Sequence, residues 1–400
     1  MKYFKSLFLS LILILAGCSS NEDKDSTENQ ESTTELSEEN DKEKVDNQER
    51  NSSKIIVKDL DGNKITLEKP LEKVIIQGSS SGGPFMTMMY LDKDNFLSKI
   101  TAMDDSVRKD RNDFYTRLRK VMPEIEDVAR VADFMDNDFS YEAILKLDAD
   151  GIIAPIGYKA QIDAIKEKVD IPVFYVDYHS QDFDKHIAST KLIAEVTGLD
   201  RNLDELIEFY SSKVKPIIEK EFADDEKPLV YVEHGYEGEK EYGNSYGSNK
   251  MWGKILEDCG AHNIGSDALG SNEAVPLSSE FVISNNPEKI ILTGAQWIEK
   301  PHSMKMGYDT NKEDVEEKIE LYNNRPGWSD LKAMKDKEVY VISQQLVRDM
   351  SDFYSYEFLA KSLHPEVYRN LDPDKDLKEF YDRFMPVDLE GTWSYKYGEK

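Results

Sequence analysis

Short apolar runs alternate with segments of helical periodicity over most of the chain. The runs fall into two series, residues 73–77, around 100, 151–154 and 172–177, and then residues 229–233, 290–293 and 339–343. Between them, apolar positions recur at three- and four-residue steps, the spacing of one helix face. Strands that alternate with helices form parallel sheets covered on both faces. The pattern therefore predicts two α/β lobes, with a hairpin at 54–68 around Asp61-Gly62 and helices within 352–384.

Residues 200–222 lie between the two series and have a clear helical pattern. The apolar stripe consists of Leu203, Leu206, Ile207, Tyr210, Val214 and Ile217. We expect one long helix, with Asp200 at its N-terminus, that joins a first lobe (54–199) to a second lobe (223–400). Pro216 removes one backbone hydrogen bond and predicts a bend or a second helix start. Two lobes joined in this way leave a ligand cleft at the carboxyl ends of their strands.

Residues 1–17 have the features of an export signal. Lys2 and Lys5 precede an apolar run over 7–15 that is too short to cross a bilayer. The sequence Leu15-Ala16-Gly17-Cys18 resembles the bacterial lipoprotein box, in which the cysteine becomes the lipid-modified first residue of the mature protein. The resemblance implies an exported protein held at the membrane by lipid on Cys18, with acyl chains such as palmitate.

Residues 18–53 are polar and acidic, with twelve acidic against four basic side chains. Such a segment cannot bury enough apolar surface to offset its ordering entropy, so we expect a disordered tether. A long tether suits a lipoprotein displayed on the surface of a Gram-positive cell. The net charge of −28 argues against nucleic acid and against broad contact with anionic lipid. If Cys18 carries lipid, Cys259 has no cysteine partner, and the fold relies on its core.

From residue 54 onward, the chain resembles the class III solute-binding proteins of ABC importers, which serve iron siderophores, haem and cobalamin. Four stretches carry the likeness: 142–153 (EAILKLDADGII), 284–292 (SNNPEKIIL), 325–328 (RPGW) with 339–342 (VYVI), and 359–366 (LAKSLHPE). The resemblance implies two Rossmann-like α/β lobes joined by a single backbone helix. It also implies capture of a ligand in the cleft with no catalysis and no cofactor, by a monomer.

The resemblance further implies docking to an iron-complex permease and its ATPase through one exposed glutamate per lobe. Glu142 and Glu280 match by position, because each lies at the start of a predicted helix. The strand that follows each helix belongs to one of the matching stretches, 142–153 or 284–292. Carboxylates are stable at helix N-termini and can bind arginine there with both oxygens. The alternative for each is a simple helix-capping acid.

Ligand contacts are expected in the loops that follow strand ends. These loops are 77–84, the segment after 103, 156–159 and 178–179 in the first lobe, and 234–236, 297–308 and 344–348 in the second. The basic segment 107–120 either steers an anionic ligand such as a ferric siderophore or forms a solvated helix face. The candidate ligand residues are Ser80, Arg108, Arg111, Tyr158, Tyr178, His179, His234, Tyr236, Trp297, His302 and Arg348.

Three alternatives stay open. The Gly/Ser loop 78–83 precedes a helix and can hold an oxyanion such as molybdate. Direct metal binding requires His179, His234 and His302 to converge from three loops, without any ligand spacing in the sequence. Gly78-Ser79-Ser80-Ser81-Gly82 also satisfies the G-x-S-x-G pattern of serine hydrolases, with Ser80 as nucleophile. In serine hydrolases this pattern forms a sharp turn after a strand that lies within an existing sheet. The strand at 73–77 is instead the first of its core, which argues against a hydrolase.

Overall fold

The first lobe is built on a parallel sheet because its strands are apolar on both faces. The computed structural model describes residues 54–78, 82–134, 140–166 and 168–399 of the 400-residue chain. A hairpin, β1 and β2, precedes the sheet, and the order within the sheet is β5-β4-β3-β6-β7, all parallel. The strands are β1 (Ile55–Lys58), β2 (Lys64–Leu67), β3 (Val74–Ile76), β4 (Ile100–Met103), β5 (Ala129–Arg130), β6 (Gly151–Pro155) and β7 (Val173–Val176).

The second lobe repeats this design with one antiparallel edge strand. Its main sheet has the order β10-β8-β12-β13-β14, in which only β14 is antiparallel, and β9 pairs with β11 in a small separate sheet. The strands are β8 (Leu229–His234), β9 (Asn244–Tyr246), β10 (His262–Asn263), β11 (Ala274–Pro276), β12 (Lys289–Gly294), β13 (Val339–Ser343) and β14 (Ser394–Lys396). The predicted hairpin and both series of strands are confirmed.

Fourteen α-helices cover the sheets in the part of the chain that the structure describes. Those up to the second sheet are α1 (Gly83–Leu91), α2 (Ser106–Asp110), α3 (Asn112–Val121), α4 (Tyr141–Lys146), α5 (Lys159–Lys166), α6 (Phe183–Thr197) and α7 (Leu203–Ile218). The others are α8 (Trp252–Asp258), α9 (Ile264–Leu269), α10 (Ser279–Asn285), α11 (Lys312–Asn323), α12 (Lys332–Lys335), α13 (Phe353–Leu363) and α14 (Pro373–Phe384).

The connection between the lobes differs from the single helix predicted over 200–222. Two helices, α6 and α7, lie between β7 and β8, and α7 has 16 residues. Asp200 precedes α7 by one turn and accepts a backbone bond from Leu203, whereas Asp204 and Glu205 occupy the first turn. Pro216 lies in the last turn and removes one intrahelical hydrogen bond there, and the helix ends two residues later.

Among the described residues, three apolar clusters form the core. One belongs to the first sheet, with Ile75 and Ile152, and one to the second, with Leu292 and Trp328. The third is shared by both lobes and includes α1, α7, α13 and α14. Every residue of α1 is buried, and aromatic pairs such as Phe209–Phe353, with ring centroids 5.0 Å apart, fill this shared layer. The lobes are therefore joined through a packed core as well as through α6 and α7.

Candidate functional site

A cavity of about 450 Å³ lies between the two lobes at the carboxyl ends of their strands. The first lobe contributes residues at the end of α2, and the second contributes residues that end or follow β8, β12 and β13. Clefts of this size and position are the usual ligand sites of α/β proteins. The lining residues are Asp110, Arg111, His234, Tyr236, Glu237, Asn244, Ala295, Trp297, Gln344, Gln345 and Arg348.

The basic segment 107–120 divides between the cavity and the contact between lobes. Arg111 is buried, and its Nη2 donates to Asp349 Oδ2 at 2.6 Å. Arg108 is directed away from the cavity and donates to the Tyr115 hydroxyl and the Val128 carbonyl. Lys109 is exposed and the segment's C-terminal end is solvated. The segment is therefore neither wholly at the cavity nor wholly solvated, and its role in steering an anionic ligand stays a prediction.

Helix α3 joins the first lobe to the second beside the cavity. The carboxylate of Asp113 accepts from the backbone N–H of Tyr308 at 3.1 Å and from Gln345 Nε2 at 2.7 Å. One turn later, Arg117 lies over the ring of Tyr308 at 4.5 Å and pairs with Asp309 at 2.9 Å. These contacts join the two lobes next to the cavity, which Gln345 lines.

Arg348 supplies a second cation to the cavity. Its φ of +66° is rare for a residue with a side chain, and its N–H donates to Gln181 Oε1 at 2.8 Å. The first lobe approaches its backbone closely, since a Cβ on Gly83 would lie 2.6 Å from the Arg348 carbonyl oxygen. Burial lowers the pKa of the guanidinium, against the opposing effect of Tyr246, Tyr158 and Asp110. The turn with this positive φ thus holds a partly buried cation at the boundary between the lobes.

Asp110 offsets part of this positive charge. Burial raises the pKa of its carboxyl to about 6, and the nearby Asp104 adds to the rise, while Arg348 and Arg111 oppose it. This acid therefore titrates close to neutral pH. An anionic ligand would find two arginines and one carboxyl that is easily protonated.

The second lobe forms an aromatic wall of His234, Tyr236 and Trp297. Ring centroids lie 4.9 Å apart for His234 and Trp297, and 5.2 Å apart for Tyr236 and Trp297. Burial, with Arg348 adding to the effect, lowers the pKa of His234 to about 4, so its imidazole is neutral at pH 7. Lys300 lies 4.5 Å from the centroid of the Tyr236 ring and pairs with Glu237. Flat rings beside cations suit a bulky, planar and electron-rich ligand.

Five of the predicted ligand residues line the cavity, namely Arg111, His234, Tyr236, Trp297 and Arg348. The rings of Tyr158 and His179 contact each other, with 6.1 Å between their centroids. Tyr158 is also close enough to Arg348 to favour its charged form, which raises the pKa of the guanidinium against the effect of burial. Three predicted residues lie elsewhere. Arg108 bonds within its own lobe, Tyr178 is in the core with its hydroxyl on Thr190, and His302 is exposed and outside the lining. Ser80 lies outside the described residues.

Sequence reasoning missed several lining residues. Gln344 and Gln345 fall in a loop that the sequence does indicate, and Gln344 is oriented by the indole N–H of Trp252 at 2.6 Å. Glu237 directly follows a predicted residue. Asp110 lies in the segment 107–120, of which only the basic residues were considered as ligand contacts. Asn244 is the first residue of β9, a strand that the sequence pattern does not predict.

Two other kinds of site are alternatives to the interlobe cavity. Among the residues that the structure describes, no group of three or more His, Cys, Asp or Glu side chains is placed to hold a metal ion. A larger cavity of about 940 Å³ is lined by the second lobe alone, near the amino ends of β12 and β13. Its charges are matched internally, with Lys289 and Lys396 on Glu338. We therefore assign the interlobe cavity as the candidate site.

The predicted docking glutamates lie on two helices with matching local structure. Glu142 follows Ser140, whose hydroxyl caps α4, and Glu280 follows Ser278, whose hydroxyl caps α10. Both glutamates are exposed, and hydrogen bonds from its own N–H and from Ser279 lower the pKa of Glu280. Three residues after each glutamate stands an exposed aliphatic side chain, Leu145 or Ile283.

The predicted export and lipid anchoring of the protein depend on residues that the structure does not describe. Cys18 and the tether 18–53 lie outside the described ranges. Within those ranges, no helix is both long and apolar enough to span a membrane.

Known proteins with a similar sequence or structure indicate the family of this chain. A family model described as "Periplasmic binding protein" matches residues 92–346. The crystal structure of the TroA-like periplasmic binding protein FepB from Veillonella parvula is 33% identical, with a TM-score of 0.81 over 86% of this chain and 100% of that one.

Two further relatives are more distant. YvrC of Bacillus subtilis (strain 168), named as an ABC transporter substrate-binding lipoprotein, is 23% identical over 250 residues, 61% of this chain and 71% of the relative. The molybdate-binding protein MolA of Haemophilus influenzae (strain ATCC 51907 / DSM 11121 / KW20 / Rd) is 24% identical over 302 residues, 68% of this chain and 75% of the relative.

Proposed function

This chain belongs to the periplasmic binding protein family, and on that premise we propose that it is the substrate-binding subunit of an ABC importer. Its ligand is an anionic iron complex, with a ferric siderophore as the first candidate. The protein binds and delivers this ligand without a cofactor and without catalysis. The named role of YvrC in ABC transport supports the transporter assignment.

One observation carries the ligand class: a buried arginine, a partly buried arginine and an aromatic wall meet in a single interlobe cavity. Arg111 and Arg348 supply positive charge, and His234, Tyr236 and Trp297 supply flat apolar surface. A water molecule takes about 30 Å³ of the liquid. A cavity of about 450 Å³ is therefore far larger than a bare tetrahedral oxyanion requires. Size and ring content favour a metal chelate with aromatic donors over molybdate.

Molybdate is the second candidate, because the relative MolA is named for binding it. Haem and cobalamin remain further candidates of the same general class. A lipid-anchored serine hydrolase acting through Ser80 is the alternative of a different class, and it would make the chain an enzyme.

Docking to the permease and its ATPase is proposed through Glu142 and Glu280, with Leu145 and Ile283 as apolar neighbours. The same arrangement, a capped helix with a carboxylate and an exposed aliphatic side chain one turn apart, is found on α4 of the first lobe and α10 of the second. Such a duplicated pattern fits a partner that presents two equivalent sites, each with a cation beside apolar surface. Lipid on Cys18 and the tether 18–53 would hold the protein on the outer face of the cell membrane, within reach of that permease.

The test is a titration followed by tryptophan fluorescence, because Trp297 lies in the cavity wall. We expect saturable quenching by a ferric tris-catecholate siderophore, and at least a tenfold loss of affinity in Arg348→Gln. Arg369→Gln, which changes an exposed arginine, is the matched control. Saturation by molybdate, haem or cobalamin alone would replace the ligand but keep the binding function. No response to any of these, with labelling of Ser80 by a fluorophosphonate, would overturn the proposal in favour of the hydrolase.

A further inference from the structure

The loop 235–243, which joins β8 to β9, builds much of the second lobe's side of the cavity. Tyr236 and Glu237 lie in this loop, while His234 and Asn244 flank it, and all four line the cavity. The loop folds back tightly, since a Cβ on Gly243 would lie 1.9 Å from the His234 carbonyl oxygen. Its shape therefore decides where Tyr236 lies in the cavity, and Tyr236 contacts Trp297 with 5.2 Å between ring centroids.

Arg325 is far from this loop in sequence and binds its backbone without lining the cavity. Its Nε donates to the Glu239 carbonyl at 2.7 Å. Its Nη2 donates to the carbonyls of Gly238 at 2.8 Å and Glu241 at 2.7 Å. Both Nη atoms also donate to the carboxylate of Glu233, at 2.7 and 2.8 Å. One buried guanidinium thus lies within hydrogen-bonding distance of five oxygens in residues 233–241, with the two hydrogens of Nη2 shared among three of them.

The Glu233 carboxylate connects this arrangement to the strand that ends in the cavity. Glu233 is fully buried and immediately precedes His234. Besides Arg325, it accepts from the Tyr231 hydroxyl at 2.8 Å and from the N–H of Gly243 at 3.2 Å. The carboxylate therefore holds both ends of the loop, but only while Arg325 compensates its charge.

Aromatic rings prevent Arg325 from moving away. Its guanidinium lies 4.4 Å from the centroid of the Tyr322 ring and 4.6 Å from those of Tyr242 and Trp328. The indole N–H of Trp328 donates to the Tyr242 hydroxyl at 2.7 Å, so the surrounding rings are themselves fixed. A guanidinium fits this site because it is planar and has five N–H donors, whereas a lysine ammonium has neither property.

We propose that Arg325 is a positioning residue of the ligand site, which holds the loop 235–243 in its binding shape before a ligand arrives. Its hydrogen bonds described above go to the backbone of the loop and to Glu233, so it acts on the cavity through them. A preformed loop improves affinity because no ordering entropy is lost on binding. This role rests on the proposed function of the cavity, although the shape of the loop can be measured without a ligand.

The decisive variant is Arg325→Lys, which keeps the charge but cannot make the same five bonds. The control is Lys289→Met, which breaks the half-buried pair with Glu338 at the opposite end of β12. The four tryptophans of the chain are replaced by 5-fluorotryptophan, and Trp297→Phe assigns the reporter signal in ¹⁹F spectra of the ligand-free protein. We expect the Trp297 signal to shift or broaden in Arg325→Lys and to stay unchanged in Lys289→Met.

Binding of a ferric tris-catecholate siderophore completes the test. We expect at least a tenfold weaker affinity in Arg325→Lys, and we expect Tyr236→Ala to cost much less affinity in that background than in the wild type. An unchanged Trp297 signal, or fully additive losses for the two substitutions, would overturn the positioning role. If Arg325→Lys does not fold, Trp328→Phe, which releases the Tyr242 hydroxyl, must shift the Trp297 signal, and no shift overturns the role. If the wild type binds no siderophore, the proposed ligand fails while the ¹⁹F result still decides the inference.

Discussion

The Arg111 guanidinium lies 2.6 Å from the Asp349 carboxylate, and this buried pair joins the two lobes at the inner edge of the cavity. Asp349 also accepts from the Tyr90 hydroxyl at 3.1 Å and from the N–H of Ser351 at 2.8 Å. The carboxylate thus connects α1 of the first lobe with the segment that carries Arg348. Geometry at the ligand site and contact between the lobes therefore depend on the same residues.

The first prediction concerns the stability that this pair provides. Asp349→Ala leaves Arg111 buried without its carboxylate, so we expect the free energy of unfolding to fall by about 3–5 kcal/mol. Lys54→Ala, which removes an exposed pair with Glu68, should cost less than about 1 kcal/mol. Urea denaturation of both variants provides the measurement. Similar losses in the two variants would show that the interlobe pair contributes no more than a surface pair.

The second prediction concerns pH, through Asp110. Its pKa in the folded protein is about 6, above the model-peptide value of about 3.9, so between these values the folded state binds more protons than the unfolded state. Its contribution to stability is therefore fully present below about pH 4 and is lost as the pH rises through 6. Asp110→Asn lacks this loss. We expect the variant to gain about 2–3 kcal/mol relative to the wild type between pH 4 and pH 7, at about 1.4 kcal/mol per pKa unit.

Urea denaturation of the wild type and Asp110→Asn at pH 4.5, 5.5 and 7 checks this difference. All other titrating groups are common to the two proteins and cancel. A difference that stays constant over this range would mean that burial does not raise the pKa of Asp110.

The chain order of strands and helices follows from sequence pattern, but the partners across the lobes do not. Apolar runs predict β6, β12 and β13 to within one residue at each end, because both faces of these strands are buried. Arg348 and Trp297 were predicted because they follow strand ends. Tyr178 also follows one, yet its side chain packs inward, since strand alternation no longer fixes side-chain direction beyond the end of β7.

Contacts between distant segments account for the rest. Arg117 and Asp309 are 192 positions apart, and nothing local to either residue predicts the pair. The same holds for Arg325 and the loop 235–243, although the sequence 325–328 attracted attention as part of the family resemblance. The helix at 203–218 was predicted as part of a longer one, because the polar residues at both ends of 200–222 also fit a helix surface.

The third prediction concerns movement of the lobes. The contacts of Asp113 and Arg117 with the second lobe join the two lobes through residues outside the aromatic wall, so we expect the ligand-free and siderophore-bound proteins to have nearly the same radius of gyration in X-ray scattering. Arg117→Ala removes the ring contact and the pairs with Asp309 and Glu390, and should expand the ligand-free form only. A large compaction of the wild type on binding would contradict a cleft that is largely preformed.

The last prediction separates transport from ligand storage. Glu142 and Glu280 do not line the cavity, so Glu142→Ala and Glu280→Ala should leave siderophore affinity unchanged. Whole-cell uptake should fall in each, since losing one partner of an interfacial charge pair costs about 2–5 kcal/mol. Lysine at either position should be worse than alanine, because like charges would then meet across the interface.

Leu145→Ala and Ile283→Ala should also reduce uptake, through lost apolar contact with the permease. Leu321→Ala and Ile56→Ala remove comparably exposed side chains elsewhere and should have no effect. Normal uptake by the Glu142→Ala, Glu280→Ala double variant would show that the permease docks on another surface. Normal uptake by the two aliphatic variants alone would restrict docking to the charged pair.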